Sequence, residues 1–355
     1  MSAVHVTHVS LARDYRGAQR QLELLVRGLA GHGIPQRAVV GSRRLAEALG
    51  DVPGLEVRRA EGTPFAALAI PGACRVVHAH EVAAAPAALF RQQTGGPPYV
   101  VTQRLAPSPR APRLVRRACR RAARLVAVSQ YVVESIRAED PSLTPVLIPS
   151  GVAPMPSDPF KVERLRRRYE GRFLVGNVAP LDDRLRGQRV LIDVARQIQS
   201  THPHVHFLLL GDGPDAAALR EAAKGLTNLE FAGWVDDVSN YLGALDLFAY
   251  PSREEALGSA LLEAMACGVP VLASEVGGVP ELVSPQTGRL VASGDSAAFA
   301  QALIALAENS ALREQMSEAA CKQADRFTAE RMVNSYLRLY GALGYAAPTA
   351  KITAP

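Results

Sequence analysis

Short apolar runs alternate with stretches of helical periodicity along most of the chain. The runs at residues 4–9, 37–41, 55–58, 75–80, 99–102, 125–129 and 146–148 are built mainly from Val, Ile, Leu and Ala. Continuous apolar runs of this length predict strands buried on both faces of a parallel sheet. After the first run, Leu22, Leu25, Val26 and Leu29 recur at helical spacing and predict a helix over 17–31. A second helix is predicted over 111–123, with Leu114, Val115, Ala118 and Ala122 as its apolar side and arginines around the rest. The alternation then restarts. Strands are predicted at 173–177, 205–210, 229–231, 247–250, 269–274 and 289–291, with helices at 187–199, 215–223, 238–243, 259–267 and 296–308. Strand–helix alternation in two series predicts two doubly wound α/β units.

The segment 149–159 separates the series. Pro149, Pro154, Pro156 and Pro159 oppose regular structure there and predict a hinge. Residues 311–327 and 329–343 read as closing helices, and the tail from 346 as frayed. The expected organisation is an N-terminal Rossmann-like domain over 1–153, a second over 154–328, a closing helix at 329–343 that returns to the first domain, and a flexible tail at 344–355. The expected fold class is thus α/β, with two Rossmann-like doubly wound domains facing each other across a cleft. Ligands in such folds bind beyond the carboxyl ends of the strands.

Composition narrows the class. With 355 residues, 48% of them hydrophobic and 21% charged, the chain has apolar mass for two cores and excludes collagen, coiled coil and wholesale disorder. Residues 1–153 hold 20 Arg, no Lys and 10 Asp and Glu, a net +10, whereas residues 154–355 carry a net −4. The basic half is expected to meet something anionic. Cys74, Cys119, Cys267 and Cys321 form no CxxC pair, which predicts a reduced, cytoplasmic protein. No run approaches the ~18–20 apolar residues that span a bilayer, and the N-terminus lacks the pattern of a secretory signal. Any membrane contact is expected to be peripheral, on the inner face of the cytoplasmic membrane.

The densest chemistry follows the strand at 247–250. In PSREEALGSALLEAMACGVP, Glu255 and Glu263 are eight positions apart, and a helix is predicted to start at Gly258 or Ser259. The first-turn amides, from Gly258 through Ser259 and Ala260 to Leu261, would then be unpaired donors at the positive end of a helix dipole, a natural phosphate site. Gly258 would let a phosphate approach the backbone. Glu263 lies within an apolar run, and a carboxylate is rarely buried there without a partner.

These residues resemble the E-x7-E signature of retaining family 4 glycosyltransferases with the GT-B fold. The resemblance continues through Cys267–Glu281 and includes Gly211-Asp-Gly-Pro, Phe231-Ala-Gly-Trp-Val, Val128-Ser129, Ile148-Pro-Ser-Gly-Val and the loop Arg16-Gly-Ala-Gln-Arg-Gln. It implies that Glu263 holds the ribose of a nucleotide-diphosphate sugar, that Glu255 contacts the transferring sugar, and that the amides of 258–261 hold the diphosphate. Trp234 and Val235 would lie by the base, Gly211 in a tight turn near the donor, and Gly17 by the diphosphate. Arg186 stands where the family has a diphosphate-binding Lys, and Asn177 where Arg is common. Asn177 can hydrogen-bond but cannot neutralise phosphate, which leaves Arg184 to compensate. Many members carry a His after the strand at 99–102; here the run is Thr102-Gln-Arg-Leu-Ala, so Arg104 would face the acceptor or the donor phosphate.

Other signals stand beside this resemblance. His78 and His80 alternate along one strand and share a face. With Glu81 they read as a metal site, or as the family's common HAH pattern with His80 turned toward the cleft; the expectation is no metal. His5 and His8 read as residues packed or bonded within the first strand, His8 close to its end. Gly211-Asp-Gly-Pro lacks the third glycine of a dinucleotide motif, since Ala216 stands there, so no NAD is expected. The segment 110–124 carries Arg110, Arg113, Arg116, Arg117, Arg120, Arg121 and Arg124. It reads as a solvated face or as a contact for an anionic membrane or lipid-linked phosphate. No interleaved aromatics suit nucleic acid, which is not expected as a partner.

The reading is a glycosyltransferase that moves sugar from a nucleotide-sugar donor to a saccharide or lipid-linked acceptor, with no further cofactor, in bacterial surface polysaccharide or lipopolysaccharide synthesis. Its alternatives are another GT-B enzyme such as a nucleotide-sugar epimerase, or a catalytically idle binding subunit.

Overall fold

A computed structural model describes residues 5–71, 73–108 and 110–344. It resolves into two compact units, one up to Ala153 and resuming at Thr328, the other Pro154–Phe327. The first unit holds β1 (Val6–Ser10), β2 (Gln36–Val40), β3 (Leu55–Arg59), β4 (Val76–Ala79), β5 (Tyr99–Gln103), β6 (Arg124–Ala127) and β7 (Val146–Leu147). They form one sheet in the order β3-β2-β1-β4-β5-β6-β7, with every pairing parallel. The second unit holds β8 (Phe173–Val178), β9 (Val205–Leu210), β10 (Leu229–Gly233), β11 (Leu247–Tyr250), β12 (Val271–Ser274) and β13 (Gly288–Val291). Its sheet runs β10-β9-β8-β11-β12-β13, again parallel. In each sheet the order reverses once, between β1 and β4 and between β8 and β11. Such switch points open a crevice at the carboxyl ends of the strands.

The apolar pattern explains the layers. Leu22, Leu25, Val26 and Leu29 are all buried on the helix Gly17–Gly31. The C-terminal helix Ala329–Gly341 inserts Met332, Val333, Tyr336, Leu339 and Tyr340 against Val6, Leu25, Leu29, Val76 and Val100 in the first unit. Each such buried side chain contributes about 1.5–3 kcal/mol. In the second unit, Leu191, Val194 and Ala195 of the helix Gln188–Ile198 pack with Phe207, Leu209 and Leu247 and with Phe299 and Leu303 of the helix Ser296–Ala307.

Several local expectations are corrected. Pro159 does not prolong the hinge; it is the first residue of a helix, Pro159–Arg168, capped by the Asp158 carboxylate on the Phe160 amide at 2.9 Å. Proline suits that position because the first helical N–H has no intrahelical acceptor. The arginine-rich helix is shorter than expected, Arg113–Arg121, and only Ala118 of its apolar side is fully buried. Leu114 is instead 54% exposed. The helix expected to run to 327 ends at Ala324 and gives way to a 3-10 turn, Asp325–Phe327. The expected flexible tail, apart from Gly344, lies outside the described residues.

Candidate functional site

The second unit concentrates polar groups at its switch point. The loops after β8 and β11 meet there. A one-turn helix, Asp183–Arg186, ends at Gly187, whose φ is 65°. A Cβ at Gly187 would lie 2.2 Å from the Pro251 carbonyl oxygen, so only glycine allows the two loops to touch. The Arg253 amide donates to the Leu185 carbonyl at 2.9 Å and fixes the contact. These constraints bring Arg186 to Glu255: Nη1 of Arg186 donates to Oε2 of Glu255. The same oxygen accepts from the Tyr250 hydroxyl at 2.5 Å, and Oε1 accepts from the Ala256 amide at 3.1 Å.

This is a partly buried ion pair, with 25% and 12% side-chain exposure for Arg186 and Glu255. Burial opposes the Arg186 charge, but Tyr250 and Glu255 outweigh it and hold the guanidinium above its ordinary pKa. Burial, reinforced by the Glu255 charge, pushes the Tyr250 hydroxyl well above its usual value. Tyr250 therefore remains a neutral donor that orients the carboxylate. No motif in the sequence singles it out. Its signal is a hydroxyl at the end of a wholly buried strand, directly before the acidic loop.

Next to the pair begins the helix Ser259–Ala266. Gly258 precedes it at φ 104°, and no side chain caps its amides. The first-turn N–H groups of Ser259, Ala260 and Leu261 have no acceptor within the helix, and Gly258 adds no side chain to screen them. Leu261, Leu262, Ala264 and Met265 are buried and anchor the helix, while Glu263 is half-buried. Burial, with the Glu263 charge adding to it, pushes the Cys267 thiol up to about 11. Gly211 leaves β9 at φ 136°, where a Cβ would lie 2.0 Å from the Ala179 carbonyl oxygen. Its role is the close packing of the loops after β8 and β9, which Asp183 N reinforces by donating to Asp215 at 2.8 Å.

Other expected residues are placed differently. Asn177 is 1% exposed within β8, and its Nδ2 donates to the Ala249 carbonyl at 2.9 Å. It ties two strands together and is not turned to a phosphate, because its side chain alternates into the sheet interior. Arg184 is exposed. Trp234 is 53% exposed with its indole N–H on Asp236 at 3.0 Å, and Val235 is half-buried. In the first unit, Gly17 is exposed at the start of its helix, whose Arg16 amide is capped by Gln19 at 3.1 Å.

Three histidines of the first unit, His8, His78 and His80, form a buried network at its switch point. His78 and His80 do share a face, their ring centroids 3.8 Å apart. His8 joins them from β1. Gln36 anchors its amide N on the Val26 carbonyl, so its Oε1 accepts from His8 Nε2 at 2.9 Å. His8 Nδ1 must then accept from His80 Nε2, also at 2.9 Å, which leaves the buried His80 Nδ1 without a partner. His78 bonds Tyr340 and Thr102, both at 2.7 Å. The expectation that His80 faces a cleft is corrected: it is 1% exposed beneath this network. Burial lowers all three, His8 to about 4 and the others well below 6.5. Their ligand atoms lie within 4.8 Å of one another, a possible metal cluster. Glu81 is not part of it; its carboxylate accepts from the Ser10 hydroxyl at 3.0 Å and from the Leu11 and Ala12 amides. Both nitrogens of His8 and His78 are engaged in hydrogen bonds, and the nearby Arg104 charge opposes a cation, so the network is a neutral, bonded core.

Fold and site together define a class, two Rossmann-like α/β units of the GT-B type. Residues 172–309, most of the second unit, match the family described as Glycosyl transferases group 1. An N-acetyl-alpha-D-glucosaminyl L-malate synthase of Bacillus anthracis is 35% identical over 145 residues, 39% of this chain and 38% of that protein. A GDP-mannose-dependent phosphatidylinositol monomannoside mannosyltransferase of Corynebacterium glutamicum is 37% identical over 38% of each chain. The match thus spans well under half the length of these curated relatives. The Anabaena protein HepE, solved with UDP-glucose, superposes with a TM-score of 0.83 at 21% identity, covering 95% of this chain and 99% of that one. The segment 172–309 is thus that of a group 1 glycosyltransferase, and the chain as a whole shares its fold with the GT-B glycosyltransferases.

Proposed function

We propose that the chain is a retaining glycosyltransferase, moving a sugar from a nucleotide-diphosphate donor to a hydroxyl of a saccharide or lipid-linked acceptor. The observation that carries this reading is the Arg186–Glu255 pair beside the uncapped start of the helix Ser259–Ala266, inside the family-matched segment. Charge builds on the departing diphosphate as the glycosidic bond breaks, and preorganised donors aimed at that charge lower the barrier. The amides of 259–261 and the Arg186 guanidinium are such donors. One Arg186 nitrogen is engaged by Glu255, and the rest of its fork is available to phosphate. In this reading Glu255, oriented by Tyr250, would meet the transferring sugar, and Glu263 would take the ribose hydroxyls. Arg184 adds exposed positive charge nearby.

The reading needs no resident metal or cofactor. A place in bacterial surface polysaccharide or lipopolysaccharide synthesis is supported by a lipopolysaccharide core glycosyltransferase of Rhizobium meliloti, 31% identical over 43% of this chain. No helix among the described residues is long and apolar enough to cross a membrane. Attachment to the cytoplasmic face would fall to the exposed arginines of Arg113–Arg121. Calorimetric titration with UDP-, GDP-, ADP- and dTDP-sugars tests the reading. One donor is expected to bind, and Glu263→Ala and Arg186→Ala each to weaken it by roughly tenfold or more. Undiminished donor affinity in both variants would remove the site.

A further inference from the structure

The first unit holds a cavity of about 250 Å³ beyond the ends of β4 and β5. Its wall is largely apolar, with Leu105, Pro107, Val115 and Leu143 among its lining, and Arg104 lies in it. Arg104 is partly buried, and its only hydrogen bond among the described residues is a long one, Nη1 to the Ser150 hydroxyl at 3.4 Å. Its Nε is buried with no partner. No carboxylate pairs with it. Glu81, the lining acid on the same side, is already held by the Ser10 hydroxyl and the amides of Leu11 and Ala12. At the far wall Asp140 is taken by Arg120 at 2.7 Å, and Glu139 is exposed.

A guanidinium stays protonated at any working pH, so Arg104 is a fixed charge that burial disfavours; the Glu81 charge offsets part of that cost, but no carboxylate among the described residues is bonded to the guanidinium. The buried histidines beside it are neutral and offer no compensation. A buried guanidinium N–H without an acceptor is costly, and one that lines a cavity points to an anion that arrives from outside. Arg116 and Arg120 line the same cavity, and with Arg113, Arg117 and Arg121 they form an adjoining concave surface. That field attracts a multiply charged anion more than a single carboxylate.

We propose that this cavity binds a phosphate group carried on the acceptor, with Arg104 as its principal ligand and the apolar wall packing the group that bears it. As an acceptor site the cavity rests on the transferase reading; as a phosphate site it stands on the first unit alone. The phosphate could belong to a soluble sugar or polyol phosphate or to a lipid headgroup, and the test separates the two.

The full chain is titrated with sn-glycerol 3-phosphate, with dihexanoyl phosphatidylglycerol below its micellar concentration, and with dihexanoyl phosphatidylcholine as the zwitterionic control. Saturable binding of either anionic probe is expected, the tighter one naming the source. Arg104→Met should weaken it by roughly tenfold or more, and Arg104→Lys by less, because lysine keeps the charge and loses the fork. Inorganic phosphate should raise the melting temperature of wild type and leave that of Arg104→Met unchanged. Absence of binding to both anionic probes, equal binding by Arg104→Met, or an equal phosphate-induced rise in its melting temperature would overturn the proposal. UDP titrated into the same samples reports on the donor site of the second unit, so failure of the transferase reading is seen separately.

Discussion

Arg186 and Glu255 stand 69 positions apart, and each alone reads as an ordinary charged residue on a loop. What gives them a joint meaning is a third residue, Tyr250, and a glycine, Gly187, that permits the loops to touch. The family pattern picked out the two charges, but the hydroxyl that orients them was invisible to it. The buried histidines show the opposite limit. Alternation placed His78 and His80 on one face, yet the partners that fix their protonation come from distant segments: Thr102 and Tyr340 for His78, and for His80 the His8 ring that Gln36 orients. These histidines carry a pH prediction. In the unfolded chain they take up protons near pH 6.5, and in the folded chain only well below it, His8 at about 4. Below pH 6.5 the unfolded state therefore binds more protons, and stability falls as pH falls, by up to about 1.4 kcal/mol per pH unit for each histidine. Urea unfolding should show a plateau above pH 6.5 and a decline beneath it that is shallower in His80→Gln. A slope unchanged by that substitution would detach His80 from the acid sensitivity.

Among the elements, the helix Arg113–Arg121 departs furthest from the periodic reading. Its pattern assigns Leu114 to the core, whereas the structure exposes it next to Arg113, Arg117 and Arg121. The helix is short, only Ala118 is fully buried, and Tyr99 reaches across to bond the Ala118 carbonyl at 2.6 Å. Backbone tethering and one small side chain set its rotation, so its larger apolar residues need not face inward. The result is an apolar side chain amid exposed cations, a composition suited to an anionic interface. Vesicles containing phosphatidylglycerol should co-sediment the chain at low salt, and neutralising Arg113, Arg117 and Arg121 should reduce the bound fraction severalfold, at about 1 kcal/mol per arginine near the surface. Equal binding by the triple variant would rule out this helix as the contact.

The whole molecule has a dependence that no single element reveals. The first unit is completed by a helix from the far end of the chain. Tyr336 and Tyr340 of Ala329–Gly341 are buried in its core and bond Thr102 and His78. A chain truncated after Phe327 should therefore lose the calorimetric transition of the first unit and keep that of the second, whose core lies within Pro154–Phe327. Survival of both transitions would show that the helix is dispensable.

By itself the sequence determined the two α/β series, every strand in them and the residues of the acidic loop. Apolar periodicity and short motifs are local, and propensity acts over a few residues at a time. Tertiary structure alone decided which loops meet at the switch points, that Asn177 serves the sheet, that His80 is buried, and that Arg104 lines a cavity with its Nε unpartnered. Those outcomes depend on strand order and on contacts between residues far apart in the chain, which no local pattern encodes.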